Sequence, residues 1–106
     1  MDIVSVERIE TAMARPGFLE RILTPDELLL DLIPMRVASR WAAKEAVYKA
    51  FGGGIRWHDL SILNDTTRAP VIIWHRDMSE FGAFKVHLSL SHERENAVAI
   101  AVVEEG

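Results

Sequence analysis

The sequence predicts a single α+β domain in which a mostly antiparallel sheet packs on one long helix. Three observations carry that expectation. Helix signals dominate the chain up to Gly52-Gly53-Gly54, and period-two alternation dominates it afterwards. Helices first and strands later is the α+β pattern. With 106 residues, 49% of them apolar, the chain has the size and core content of one folding unit, residues 1–106.

The opening Ile3-Val4-Ser5-Val6 reads as a short strand, followed by a first helix over Glu7 to Ala14 that ends near Arg15-Pro16-Gly17. Thr24-Pro25-Asp26-Glu27 is a helix start: Thr24 can cap, Pro25 suits the first helical position and Glu27 completes a capping box. Pro34 closes that segment. The longest helix is expected from about Met35 to Phe51, stopped by the three glycines. On it Ala43, Ala46, Val47 and Ala50 share a face of small residues that lets another element approach closely, while Trp41, Glu45 and Lys49 lie on a different face.

Asp59 to Leu63, Val71 to Trp74, Lys85 to Ser91 and Ala97 to Val103 read as strands. Turns fall at Asn64 to Pro70 and His92 to Asn96, with a short helix at Asp77 to Phe81. The last strand is apolar on both faces, so it is expected to be central or covered on both sides.

Composition removes several functions. The absence of cysteine excludes disulfides, thiolate catalysis and Cys-based zinc sites, and it suits a reducing cytoplasm. No apolar run approaches the ~20 residues that cross a bilayer, and Met1 to Arg8 has no apolar signal core. A cytoplasmic protein with no membrane partner is expected. The net charge of −4 argues against a nucleic-acid partner. Arg8, Arg15 and Arg21 nonetheless gather in the first quarter, and a basic patch for an acidic protein can coexist with an acidic whole.

Three features can carry chemistry: Asp2, the Glu45/Lys49 pair, and the stretch His87-Leu88-Ser89-Leu90-Ser91-His92. Each also has a plain structural reading. Asp2 alone reads as a terminal carboxylate. Glu45 and Lys49 alone form an i, i+4 surface pair worth ~0.2–0.5 kcal/mol. In the late stretch, alternation places His87, Ser89 and Ser91 on one face and Leu88 and Leu90 on the other. His87 and His92 then lie on opposite faces, which makes a shared zinc a poor reading. Neither serine sits in a nucleophile-elbow sequence. Two carboxylates without soft ligands suit Mg²⁺, which commonly takes one or two protein carboxylates and leaves the rest to water and phosphate. Lys49, one turn after Glu45, can meet a phosphate charge beside it. Gly52-Gly53-Gly54 can admit a ligand to the backbone, and is equally an ordinary helix cap.

The combination is more specific than its parts. Asp2-Ile3-Val4, Glu7-Arg8-Ile9, Phe18 to Thr24, Arg40-Trp41-Ala42-Ala43-Lys44-Glu45-Ala46-Val47-Tyr48-Lys49-Ala50-Phe51-Gly52 and the His87–His92 stretch occur in the order seen in bacterial holo-acyl-carrier-protein synthases. The chain resembles that family, the small 4′-phosphopantetheinyl transferases, over nearly its whole length. Val4 stands where the larger two-domain transferases carry a further acidic residue, so the small class fits better.

The resemblance implies a fold, a reaction and a set of roles. The reaction moves phosphopantetheine from coenzyme A to a serine of an apo acyl carrier protein. Asp2 and Glu45 match the Mg²⁺ ligands, and Glu45 and Lys49 the catalytic positions. Lys49 also contacts the pyrophosphate, while Arg40 and His92 match residues near the nucleotide end of coenzyme A, with Gly52 carried as a further cofactor position. Arg8 matches the arginine that meets the acidic carrier helix, with Arg15 and Arg21 extending that patch. The family forms homotrimers with active sites at subunit interfaces. The glycine-lysine common before the later proline is Arg68-Ala69 here, read as a matter of turn geometry. A non-catalytic carrier-binding relative with a degraded site is the alternative.

Overall fold

The computed structural model describes all 106 residues. Strand β1 (Asp2–Ser5) leads directly into helix α1 (Val6–Met13), because Ser5 caps the helix by accepting a hydrogen bond from the Arg8 amide at 3.3 Å. The first strand and helix thus each start earlier than the sequence suggested. A short helix α2 (Phe18–Ile22) follows, which the sequence reading did not anticipate. Its five residues carry too little periodicity to stand out, and it is held by burial of Phe18 and Ile22.

Helix α3 (Pro25–Leu28) begins as expected. The Thr24 hydroxyl accepts from the Glu27 amide at 3.3 Å, and the Glu27 carboxylate accepts from the Thr24 amide at 2.9 Å. Helix α4 (Pro34–Ala50) is the longest element at 17 residues. It ends in a paired cap: the Gly53 amide donates to Tyr48 O at 2.9 Å and the Gly52 amide to Lys49 O at 3.1 Å. Gly52 reaches this geometry at φ +76°, a left-handed conformation that disfavours a side chain.

The second half forms β2 (Leu60–Asn64), β3 (Pro70–Trp74), β4 (Phe84–Glu93) and β5 (Asn96–Glu105), with 3-10 turns at Trp57–Asp59 and Ser79–Phe81. All pairings are antiparallel, but they make two sheets rather than one. The first has the order β1-β5-β4 and the second is the β2-β3 hairpin. Between β3 and β4 stand Trp74, Phe84 and Phe51, edge to face at 5.1–6.0 Å between ring centres, and beyond them a depression of about 260 Å³ separates Pro70 and Ile72 from Val86 and Leu88. The β4–β5 turn is also tighter than expected, since Glu93 pairs directly with Asn96.

β5 is central, one of the two placements its apolar sequence led us to expect, and it is covered on one face only. Its inner face, Ala97 and Ala99, is fully buried under α4, which presents Ala42, Ala43, Ala46 and Val47. Small residues on both sides let the helix axis approach the sheet closely. The outer face is open: Ile3, Ile100 and Val102 are 59%, 46% and 54% exposed. The register puts His87 beside Val102 and Ser89 beside Ile100, so the expected alternation of the His87–His92 stretch holds.

Candidate active site

Asp2 reaches the inner face of the sheet through register alone. It pairs with Ala99 while Val4 pairs with Ala97, and both alanines face α4. The last turn of α4 then brings Lys49 to it. Lys49 Nζ donates to Asp2 Oδ1 at 2.6 Å, with the Asp2 side chain only 13% exposed and that of Lys49 57% exposed. This hydrogen bond and the charge of Asp2 raise the Lys49 pKa above its ordinary value, and Glu45 adds a smaller pull in the same direction.

Asp2 and Glu45 line one groove of about 460 Å³, bounded by Trp41 and Trp57. The two indoles meet at 4.7 Å, and Trp41 stacks on Phe18 at 5.9 Å, which makes that wall rigid and apolar. Arg8 on α1, Arg15 after it and Arg21 on α2 line the same groove. All three are exposed, and none is engaged in an ion pair within the chain. The geometry therefore gathers five of the expected residues, Asp2, Glu45, Arg8, Arg15 and Arg21, with Lys49 bound to the first.

Arg40, Gly52 and His92 are placed elsewhere. Arg40 is 5% exposed; its Nε donates to Ile62 O at 3.0 Å and a terminal nitrogen to Asn64 Oδ1 at 2.7 Å, tying α4 to β2. Burial lowers its pKa, partly offset by Glu27. Gly52 belongs to the helix cap, and the neighbouring Gly54 lines a separate depression with Tyr48 and Arg56. His92 is exposed at the hairpin end of β4, opposite Ala97.

The donor set fits a hard divalent cation. Two carboxylates from different elements enter one groove, no soft ligand accompanies them, and Asp2 is already paired with a cation, Lys49. No three His, Asp or Glu side chains converge, so water and substrate oxygens would have to complete the shell.

The sequence reading overlooked one feature beside Glu45. Lys44 is 3% exposed, and its ammonium donates to Glu27 Oε1 at 2.5 Å, Trp57 O at 2.7 Å and Ile22 O at 2.9 Å. Burial lowers the Lys44 pKa, and Glu27 offsets part of that. The available signal was that Arg40 and Lys44 fall in helical register with Val37 and Val47, both fully buried. A charge there requires a partner.

Comparison with known proteins identifies the family. Residues 1–103 match the model of the 4′-phosphopantetheinyl transferase superfamily. The chain is 44% identical to the holo-[acyl-carrier-protein] synthase of Chlorobium chlorochromatii, over 98% of this chain and 97% of that one. It is 41% identical to the synthase of Solidesulfovibrio magneticus, over 98% and 94%. The crystal structure of the Helicobacter pylori holo-[acyl-carrier-protein] synthase in complex with coenzyme A superposes with a TM-score of 0.90 at 35% identity, covering 97% of this chain and 96% of that one. The Bacillus anthracis synthase, in complex with CoA (3′,5′-ADP), gives 0.84 at 36% identity, covering 99% and 93%. By fold and by sequence over nearly its full length, the chain belongs to the 4′-phosphopantetheinyl transferase superfamily, among its holo-[acyl-carrier-protein] synthases.

Proposed function

We propose that this chain transfers the 4′-phosphopantetheine group of coenzyme A to a serine of an apo acyl carrier protein, releasing adenosine 3′,5′-bisphosphate, with Mg²⁺ required. The observation that carries the reading is the groove that holds Asp2 and Glu45 and is lined by Arg8, Arg15 and Arg21. Metal carboxylates and unpaired arginines serve two different partners, and here they share one concave surface.

Asp2 and Glu45 would hold the metal, whose contribution when bound is to neutralise charge on the pyrophosphate. Lys49 supplies the second positive charge. Its long side chain is mostly exposed, so it can exchange Asp2 for a phosphate oxygen and stabilise the departing bisphosphate. The carrier serine attacks the β-phosphorus and must lose its proton. Asp2 and Glu45 are the only carboxylates lining the groove, and either Glu45 or a water held beside it would accept that proton. Trp41 and Trp57 form an apolar wall that limits competing water.

Arg8, Arg15 and Arg21 present unpaired guanidinium groups for the acidic face of a carrier protein, where they steer encounter and fix orientation. Arg40, Gly52 and His92 do not meet this groove within one chain. A homotrimer closed through the open sheet face around Ile3, Ile100 and Val102 is the arrangement in which coenzyme A would be enclosed between subunits. The exposure of that apolar face supports it. A monomer at high concentration in solution scattering would refute the trimer. No helix is long and apolar enough to cross a membrane, and the cytoplasm, where carrier proteins and coenzyme A are both at hand, is the proposed location.

Intact-mass analysis of an apo acyl carrier protein, incubated with this chain, coenzyme A and Mg²⁺, tests the reaction. One added phosphopantetheine, abolished by chelator, is the expected result. No mass gain beside a working control transferase would overturn the catalytic reading and leave a carrier-binding module.

A further inference from the structure

The buried ion pair beside the groove has no role in the chemistry above, yet it ties α4 to two of the other segments that line the groove, the end of α2 at Ile22 and the turn at Trp57. The three N–H donors of the Lys44 ammonium meet three acceptors: Ile22 O at the end of α2, Glu27 Oε1 on α3 and Trp57 O in the 3-10 turn. Glu27 is 0% exposed, and its second oxygen accepts from the Ile62 amide on β2 at 2.8 Å. Every polar group of the pair is satisfied, since no buried side-chain nitrogen or oxygen lacks a partner. The network continues outward: Thr24 Oγ1 meets Ser61 Oγ at 2.6 Å, and Ser61 Oγ meets His75 Nε2 at 2.6 Å.

Two consequences bear on the groove. Glu45 follows Lys44 in the helix, so clamping the Lys44 ammonium fixes the rotation of α4 about its axis where Glu45 leaves it. Trp57 receives a Lys44 hydrogen bond at its carbonyl, while its indole lies on Trp41 in the groove wall. One ammonium therefore sets both the direction of a carboxylate and the position of the surface facing it. Lys44, Glu45 and Trp57 also line a second depression, of 350 Å³, that continues the groove toward Tyr48 and Arg56.

We propose that the Lys44–Glu27 pair is a positioning device for the reaction, holding Glu45 and the Trp57 wall at the separation that cation and pyrophosphate require. This rests on the reading of Asp2 and Glu45 as metal ligands. A well-packed apolar core would serve folding as well as a buried ion pair does, because desolvation consumes most of the pair's attraction. What an apolar substitute lacks is the directional tie from α4 to two short helices, a 3-10 turn and a strand.

The test separates positioning from folding. The double variant Glu27→Gln/Lys44→Met removes both charges at similar volume, and Glu27→Gln alone, which keeps a hydrogen-bonding side chain beside Lys44 but removes its counter-charge, is the second variant. Each is compared with wild type by thermal unfolding and by Mn²⁺ titration followed by electron paramagnetic resonance, in the presence of coenzyme A and corrected for coenzyme A alone. Expected is a folded double variant whose Mn²⁺ affinity falls about 10-fold or more, with a raised KM for coenzyme A. A folded double variant with wild-type Mn²⁺ affinity and KM would overturn the proposal. If neither variant folds, the pair is a folding element and the positioning role is withdrawn. A Glu45→Gln control that binds Mn²⁺ as tightly as wild type would instead sink the metal reading itself, and this proposal with it.

Discussion

Lys49 Nζ and Asp2 Oδ1 lie 2.6 Å apart, across 47 residues of sequence. The contact joins the first strand to the last turn of the longest helix, and it places a mobile cation on a carboxylate that a metal would also claim. Neutralising Asp2 from within the chain lowers the cost of holding two carboxylates in one groove before substrate arrives.

Asp2→Ala and Glu45→Ala each remove one of the two proposed metal ligands from that groove without touching the core, since neither residue is fully buried. Each should lower Mg²⁺-dependent transfer by ~10²-fold or more, because charge stabilisation on a transferring phosphate is worth several kcal/mol. Far-ultraviolet circular dichroism should be unchanged. Full activity in both variants rules out the metal assignment.

Arg8→Glu reverses charge on the exposed face of α1 while leaving Asp2 and Glu45 in place. Carrier-protein KM should rise about tenfold or more, mainly through slower association that responds to salt, with KM for coenzyme A little changed. Equal effects on the two substrates would remove Arg8 from the carrier surface.

Acid sensitivity has an identifiable source outside the groove. In the turn between β2 and β3, Asp65 Oδ1 accepts from the Thr67 hydroxyl at 2.6 Å, the Thr67 amide at 2.8 Å and the Ala69 amide at 3.0 Å. These bonds, the hydroxyl foremost, hold the Asp65 pKa below its ordinary 3.8. A depressed carboxylate contributes stability that is present above the unfolded value and is lost as pH falls through the folded one. Thermal unfolding of Asp65→Asn against wild type should therefore show a gap at pH 6 that closes below pH ~3.8. A gap independent of pH would place the effect in packing rather than in charge.

The same turn carries a correctable strain. Arg68 sits at φ +68°, where a Cβ is disfavoured. Arg68→Gly should stabilise the protein by about 0.5–1 kcal/mol, the relief of left-handed strain less the added freedom of glycine in the unfolded chain. Denaturant unfolding measures it, and a loss of stability would show that the Arg68 side chain contributes contacts of its own. The expectation that Arg68-Ala69 is a matter of turn geometry becomes quantitative in this way.

Local signals were readable wherever a short stretch decides its own conformation. The Thr24/Glu27 capping box, the glycine stop after α4 and the alternation in β4 all appear as the residues implied. Helix α2 was missed because five residues cannot reveal a period, and it exists through what Phe18 and Ile22 bury against. The division into two sheets was equally hidden. Strand identity follows from alternation, but which edges pair is a tertiary outcome, and between β3 and β4 Phe51, Trp74 and Phe84 meet where no ladder forms.

Sequence by itself determined the residue types of the site, the small-residue face of α4 and the central place of β5, because spacing along one element fixes which side chains share a face. Only tertiary structure decided that Asp2 faces α4, that Lys49 reaches it and that Lys44 is a buried, fully bonded cation while its neighbour Glu45 opens on the groove. Those outcomes depend on strand register and on partners 13 to 47 residues away. Periodicity within a helix or strand carries no information about either.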